Sequence, residues 1–135
     1  MRIYLSGPMQ GHPNFNHELF DTVTEYLRSM RHEVFSPAEW ARQNFDPKIF
    51  ICLKGDAKKA RRAGFDLKLA LKTYTNFICD EADIVVMLPD WEPSKGCRYE
   101  HALRSRSKNP SAISPSSRHG TLSILEAFDR HQLMH

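Results

Sequence analysis

The sequence predicts a single α/β domain, a doubly wound Rossmann-like or flavodoxin-like parallel sheet flanked by helices. Three observations lead there. The first 36 residues read as strand, loop, helix, strand. A second apolar run, Ala82-Asp83-Ile84-Val85-Val86-Met87-Leu88-Pro89, is β-branched and nearly continuous, as a strand buried on both faces would be. Between and after these strands the period changes to that of a helix, and strands alternating with helices pair in parallel.

The elements follow in order. Ile3-Tyr4-Leu5 is a short buried strand that empties into Ser6-Gly7-Pro8. Asn14 or Asn16 is a candidate cap for a helix running to about Met30, with Phe15, Leu19, Val23, Tyr26, Leu27 and Met30 as its apolar stripe. His32 to Ser36 is the second strand, closed by Pro37. Residues 37–65 hold Trp40, Phe45, Ile49, Phe50 and Ile51 without clean periodicity, and read as a short helix and a mobile connection or lid. A helix is expected over 65–81, the strand over 82–89, a loop over 90–96 and a helix from about Cys97 to Arg106. Residues 109–120 read as an extended connection, with a vestigial strand at Ala112-Ile113. Thr121 is a candidate cap for a last helix containing Leu122, Ile124, Leu125, Phe128 and Leu133.

Composition narrows the function classes. The chain has 135 residues, 41% hydrophobic and 26% charged, with a net charge of +3, which suits one globular domain over 1–135. Lys54, Lys58, Lys59, Arg61, Arg62, Lys68 and Lys72 crowd the middle, a solvated face before it is an anion site. Aromatics do not interleave with them, so a nucleic-acid platform is not expected. Cys52, Cys79 and Cys97 have no paired spacing, which points to a reducing compartment rather than to disulfides or zinc. Met1 leads straight into Arg2-Ile3-Tyr4-Leu5, and no run approaches the ~18 apolar residues of a membrane span. A soluble cytoplasmic protein is expected, without metal or cofactor.

Ligands in parallel α/β sheets bind at the carboxyl ends of the strands. Two such ends carry candidates. In Ser6-Gly7-Pro8-Met9-Gln10-Gly11, the glycines allow close backbone approach to a ligand. In Ser94-Lys95-Gly96-Cys97-Arg98-Tyr99-Glu100-His101, the start of a helix favours an anion such as phosphate, and Glu100 lies one turn in. On spacing alone, Glu100 reads as a surface residue paired with Arg104 at i+4.

Taken together, Ile3 to Met9, Gly11-His12-Pro13-Asn14-Phe15-Asn16, His32 to Glu39 and Ala82 to Leu103 resemble the nucleoside 2-deoxyribosyltransferase superfamily and its nucleotide N-hydrolase relatives, closest to a small phage-associated branch. The resemblance implies a homodimer or larger assembly and a nucleophilic glutamate, which maps onto Glu100 at the end of Ser94-x-Gly96-x-x-x-Glu100. It implies that the glutamate attacks C1′ of the sugar, expels the base and forms a glycosyl–enzyme intermediate, as in retaining glycosidases. Tyr4 matches the tyrosine that orients the nucleophile, and Ser6, Gly7, Pro8 and Met9 match the sugar and phosphate pocket. Serine rather than aspartate six positions before the glutamate marks relatives acting on 5′-monophosphates. Ser94, Gly96 and Arg98 would therefore hold phosphate, where an aspartate would repel it.

The family also carries an aspartate eight or nine residues before the Ala-Asp of the last strand, and here Thr75 and Tyr74 stand there. Asp80 and Asp66 are the nearby carboxylates, and Asp80 is the candidate acid. Phe15 and Trp91 are candidates for stacking on the base, although the place of Phe15 on the stripe favours a helix core residue over that role. His12, His17 and His101 lack ligand spacing. The expected function is hydrolysis of a nucleoside 5′-monophosphate at its N-glycosidic bond. A base-exchanging transferase, a non-catalytic nucleotide binder and a basic nucleic-acid adaptor are the rivals.

Overall fold

Among the described residues, four parallel strands lie in the order β2-β1-β3-β4, with β1 Arg2–Ser6, β2 Glu33–Phe35, β3 Ile84–Met87 and β4 Thr121–Ser123. The computed structural model describes residues 1–106 and 121–123. Ile3 pairs with Val34 on one side and Ile84 on the other, and Val86 pairs with Leu122. Because side chains alternate along a strand, each strand serves two cores. Ile3, Leu5, Ile84 and Val86 face α1 (His17–Ser29), packing on Phe20, Val23 and Leu27. Tyr4, Val85 and Met87 point the other way, onto Ile78 of α4 (Leu67–Asp80) and Cys97 of α5 (Lys95–Arg106). Helices thus cover both faces, and the expected doubly wound parallel α/β class is the observed one.

The entry to α1 differs from the capped start expected at Asn14 or Asn16. Asn14, Phe15 and Asn16 form a turn with φ of 50°, 55° and 63°. Neither asparagine side chain caps the helix: Asn16 Nδ2 donates to the Pro8 carbonyl at 2.9 Å, and Asn14 Oδ1 accepts from the Cys52 N–H at 2.9 Å. Left-handed backbone suits asparagine, whose short side chain bonds locally, and is costly at Phe15. Burial offsets that cost, since Phe15 precedes the helical stripe and sits edge-on to Phe50 in a third cluster with Ala41 and Ala60. Phe20, wholly buried, takes the central place on α1.

The stretch expected to be an irregular connection or lid is built from short helical pieces around that third cluster. They are α2 (Pro37–Asn44), a 3-10 turn (Pro47–Phe50) and α3 (Ala57–Arg62). Each begins on a capping side chain: Ser36 accepts from Glu39 N, Asp46 from Lys48 N, and Asp56 from Lys58 N and Lys59 N. Asp66 caps α4 by accepting from Leu69 N at 3.0 Å. α5 begins at Lys95, two residues before the expected start, because Ser94 Oγ accepts from Cys97 N at 3.3 Å. At the other end of the chain, Thr121 opens a strand rather than capping a helix, because Val85, Val86 and Met87 offer it a ladder edge. Ala112-Ile113 and the rest of the expected last helix, from Ile124 on, lie outside the described residues.

Candidate functional site

Strand alternation places Tyr4 and Ser6 on one face of β1, toward α5, and both are buried. Where β1 ends, the Leu88 N–H donates to the Ser6 carbonyl at 2.7 Å. A Cβ on Gly7 would stand 2.6 Å from Leu88 Cδ1, so only glycine lets the chain leave β1 this close to the end of β3. Across the sheet face, the three- and four-residue spacing of a helix aligns Cys97, Glu100 and Arg104 along one row of α5. Cys97 and Arg104 are buried, and Arg104 Nη2 donates to the Asp83 carbonyl near the amino end of β3. Glu100 between them is drawn inward, against β1, rather than standing as a surface residue.

The residue Glu100 is half-buried, yet its Oε2 is sealed from solvent, as are the Tyr4 and Ser6 hydroxyls. None of these three atoms closes a hydrogen bond of good length and angle. They are close enough to act on one another all the same. Burial pushes the Glu100 carboxyl up to about 7, while the Tyr4 and Ser6 hydroxyls pull it back down. Burial and then the Glu100 charge hold Tyr4 well above the usual phenol range. Tyr74 is raised by the same two causes in the same order. The Cys97 thiol is pushed up by burial against the pull of the Ser94 and Ser6 hydroxyls. Among the described residues, no cation figures among the causes that set the Glu100 carboxyl. The result is a carboxylate held in an apolar setting with two buried hydroxyls near enough to favour its charged form, able to attack, to accept a proton or to give one.

Several expected residues meet here: Tyr4, Ser6 and Glu100 directly, and Ser94 through Cys97. Gly96 and Arg98 lie exposed on the first turn of α5, where a Gly96 Cβ would meet only Ser94 Oγ, at 4.0 Å. Pro8 is buried with its carbonyl held by Asn16, and Met9 packs against the α1 core. Others stand apart. Asp80 is exposed at the last residue of α4, which leads into the amino end of β3, the far end of the sheet from Ser6. Phe15 belongs to the third cluster. Trp91, by contrast, is half-buried against the cluster that holds Tyr4 and Cys97, and is stacked on His101 with centroids 4.9 Å apart.

Sequence reasoning overlooked Cys97 and Tyr74. Cys97 was legible as the residue one turn before Glu100 on the same helix face. Tyr74 stacks into an aromatic group: its ring is 6.2 Å from Tyr4, 5.9 Å from Phe35 and 5.3 Å from Trp40. No local signal in the sequence joins those four. Two surface depressions, of about 310 and 500 Å³, lie beside α3 and α1, and Glu100 lines neither. No group of three or more potential metal ligands occurs among the described residues.

These features define a small doubly wound α/β domain whose buried carboxylate is set against its first strand. The chain belongs to the family described as Domain of unknown function (DUF4406), which it matches over residues 1–110. That family is grouped with the nucleoside 2-deoxyribosyltransferase-like proteins. No curated protein and no solved structure matches the chain. No helix among the described residues is long and apolar enough to cross a membrane.

Proposed function

We propose that this chain is an N-glycosidase of nucleoside 5′-monophosphates, with Glu100 as nucleophile. The observation that carries the reading is the Glu100 carboxylate, buried against Tyr4 and Ser6 beside the carboxyl end of β1. A carboxylate oxygen attacks C1′ while the base departs with the electron pair of the C–N bond. The glycosyl ester so formed is then opened at C1′ by water, which releases the sugar phosphate and returns the carboxylate, with overall retention. Desolvation makes the carboxylate a stronger nucleophile, and the Tyr4 hydroxyl, turned toward it, fixes its approach. Ser94 and the first N–H groups of α5 suit the 5′-phosphate, with Lys95 and Arg98 exposed on that turn to add charge.

A second reading, a nucleotide binder on the same fold without turnover, is favoured by Tyr74 standing where the resemblance expects a carboxylic acid. One experiment separates the two. The protein is incubated with each nucleoside monophosphate and free base is followed by chromatography. Release by the native chain, reduced roughly 10³-fold or more in Glu100→Gln, is the expected result. Binding without release would establish the binder, and release that survives in Glu100→Gln would remove Glu100 from the mechanism. A homodimer in the cytoplasm completes the proposal, checked by sedimentation.

A further inference from the structure

A nucleoside with a neutral base usually needs a proton on that base as it leaves, because the free anion is a poor leaving group. Among the described residues, the titratable groups that interact with Glu100 are Tyr4 on β1, Tyr74 on α4 and Cys97 on α5. All three are weak acids, made weaker by burial. Asp80 and Asp66, the carboxylates nearest in sequence, are occupied elsewhere, one at the far end of the sheet and one capping α4. The tyrosines that feel the Glu100 charge, Tyr4 and Tyr74, belong instead to an aromatic group with Phe35 and Trp40. Trp40, Phe35 and Tyr74 are half-buried, so each still presents surface, while Tyr4 lies sealed beneath Phe35 with ring centroids 5.6 Å apart. Trp40 meets Tyr74 edge to face at 78°. Electron-rich rings near a buried carboxylate that no cation among the described residues offsets attract a flat cation.

We infer that the preferred leaving group is a cationic N-glycosylated pyridinium ring, drawn to the Trp40–Tyr74 aromatic surface and the Glu100 carboxylate. This rests on the N-glycosidase reading and names its substrate class. When the Glu100 oxygen bonds to C1′, the C–N electron pair returns to the ring nitrogen. The base then leaves as a neutral pyridine, with no proton to be supplied. Water attacks C1′ of the ester, the C1′–O bond to Glu100 breaks, and one proton is released to solvent. The cation also supplies the counter-charge that the buried carboxylate lacks among the described residues, so binding itself favours the ionised, attacking form.

The test compares nicotinamide mononucleotide, the probe for the cationic class, with the common ribo- and deoxyribonucleoside monophosphates, using the full chain and following free base. The expected result is a kcat/KM for nicotinamide release at least 10²-fold above that for any neutral base. Trp40→Leu should raise KM for that probe about tenfold with little change in kcat, and Trp40→Phe should restore it. Glu100-dependent cleavage of a neutral-base nucleotide with none of the pyridinium probe overturns this inference and leaves the N-glycosidase reading standing. Cleavage of neither overturns both.

Discussion

At the scale of the residue, the site is governed by one carboxyl group and the hydroxyls around it. Glu100 must be ionised to attack, and burial lifts it to about 7, so activity is expected to rise with pH through that value. Tyr4 and Ser6 pull the carboxyl down, and removing either pull lets burial act more fully. Tyr4→Phe should therefore move the midpoint of the kcat/KM profile upward, by roughly one unit, with Ser6→Ala moving it the same way. A purely structural tyrosine would lower the rate at all pH values and leave the midpoint in place. Tyr4 and Ser6 were legible through the resemblance, and strand alternation explains why residues 4 and 6 share one face. Glu100 too was legible only through the resemblance, since the i+4 spacing to Arg104 describes a surface pair equally well. Its inward direction depends on Cys97 and Arg104 being buried on either side.

At the scale of the element, the sheet was legible and the 37–65 stretch was not, although its signals were present. β3 reads plainly because four successive residues are buried on two opposite faces. The stretch between lacks periodicity because its helical pieces are too short to show any. Their caps, Ser36-Pro37-x-Glu39, Asp46-Pro47 and Asp56-Ala57, were the readable evidence. What no local pattern reveals is that this region docks on the loop after β1. Gly11 N donates to the Gly55 carbonyl at 2.9 Å, and Asn14 N to the Cys52 carbonyl at 2.7 Å. Glycines 11 and 55 both have positive φ, of 84° and 55°. They differ in surroundings: a Cβ at Gly11 meets nothing within 4 Å, whereas one at Gly55 would stand 2.4 Å from the His12 carbonyl oxygen. Gly11→Ala should cost the backbone strain alone, about 1 kcal/mol. Gly55→Ala should cost that and the docking contact, roughly 3 kcal/mol in all. Urea unfolding of the two variants checks the difference, and equal losses would mean the loops are not held together at Gly55.

At the scale of the whole molecule, the two sides of the sheet carry buried titrations of opposite sign. On the α1 side His17 is buried, its Nδ1 2.9 Å from Arg42 Nη1 and its ring stacked on Phe50. Arg42 can only donate, so Nδ1 accepts and the neutral ring is the favoured form. Burial and then Arg42 hold its pKa down at about 4, from 6.5. Protons therefore bind the unfolded chain first, and the His17 contribution to stability, present above 6.5, is lost as pH falls toward 4. Glu100 works in reverse. Its folded value of about 7 lies above 4.5, so the folded chain binds the proton first, and stability is lost as pH rises from 4.5 to 7. Each shift corresponds to on the order of 3 kcal/mol, which makes the two nearly cancel between pH 4.5 and 6.5. Glu39, lowered by its bond to Arg28, adds acid sensitivity only below that window. Native stability should accordingly be nearly flat there, and single variants should expose the opposing slopes. In Glu100→Gln, stability should climb by about 3 kcal/mol from pH 4 to 6.5 and exceed the native value at pH 8. In His17→Gln it should fall by a similar amount from pH 4.5 to 7, and the double variant should be flat again. Urea midpoints measured across this range decide the matter. A flat profile in His17→Gln would mean that the carboxylate opposite Tyr4 is solvated after all, and the nucleophile proposed for this site would lose its physical basis.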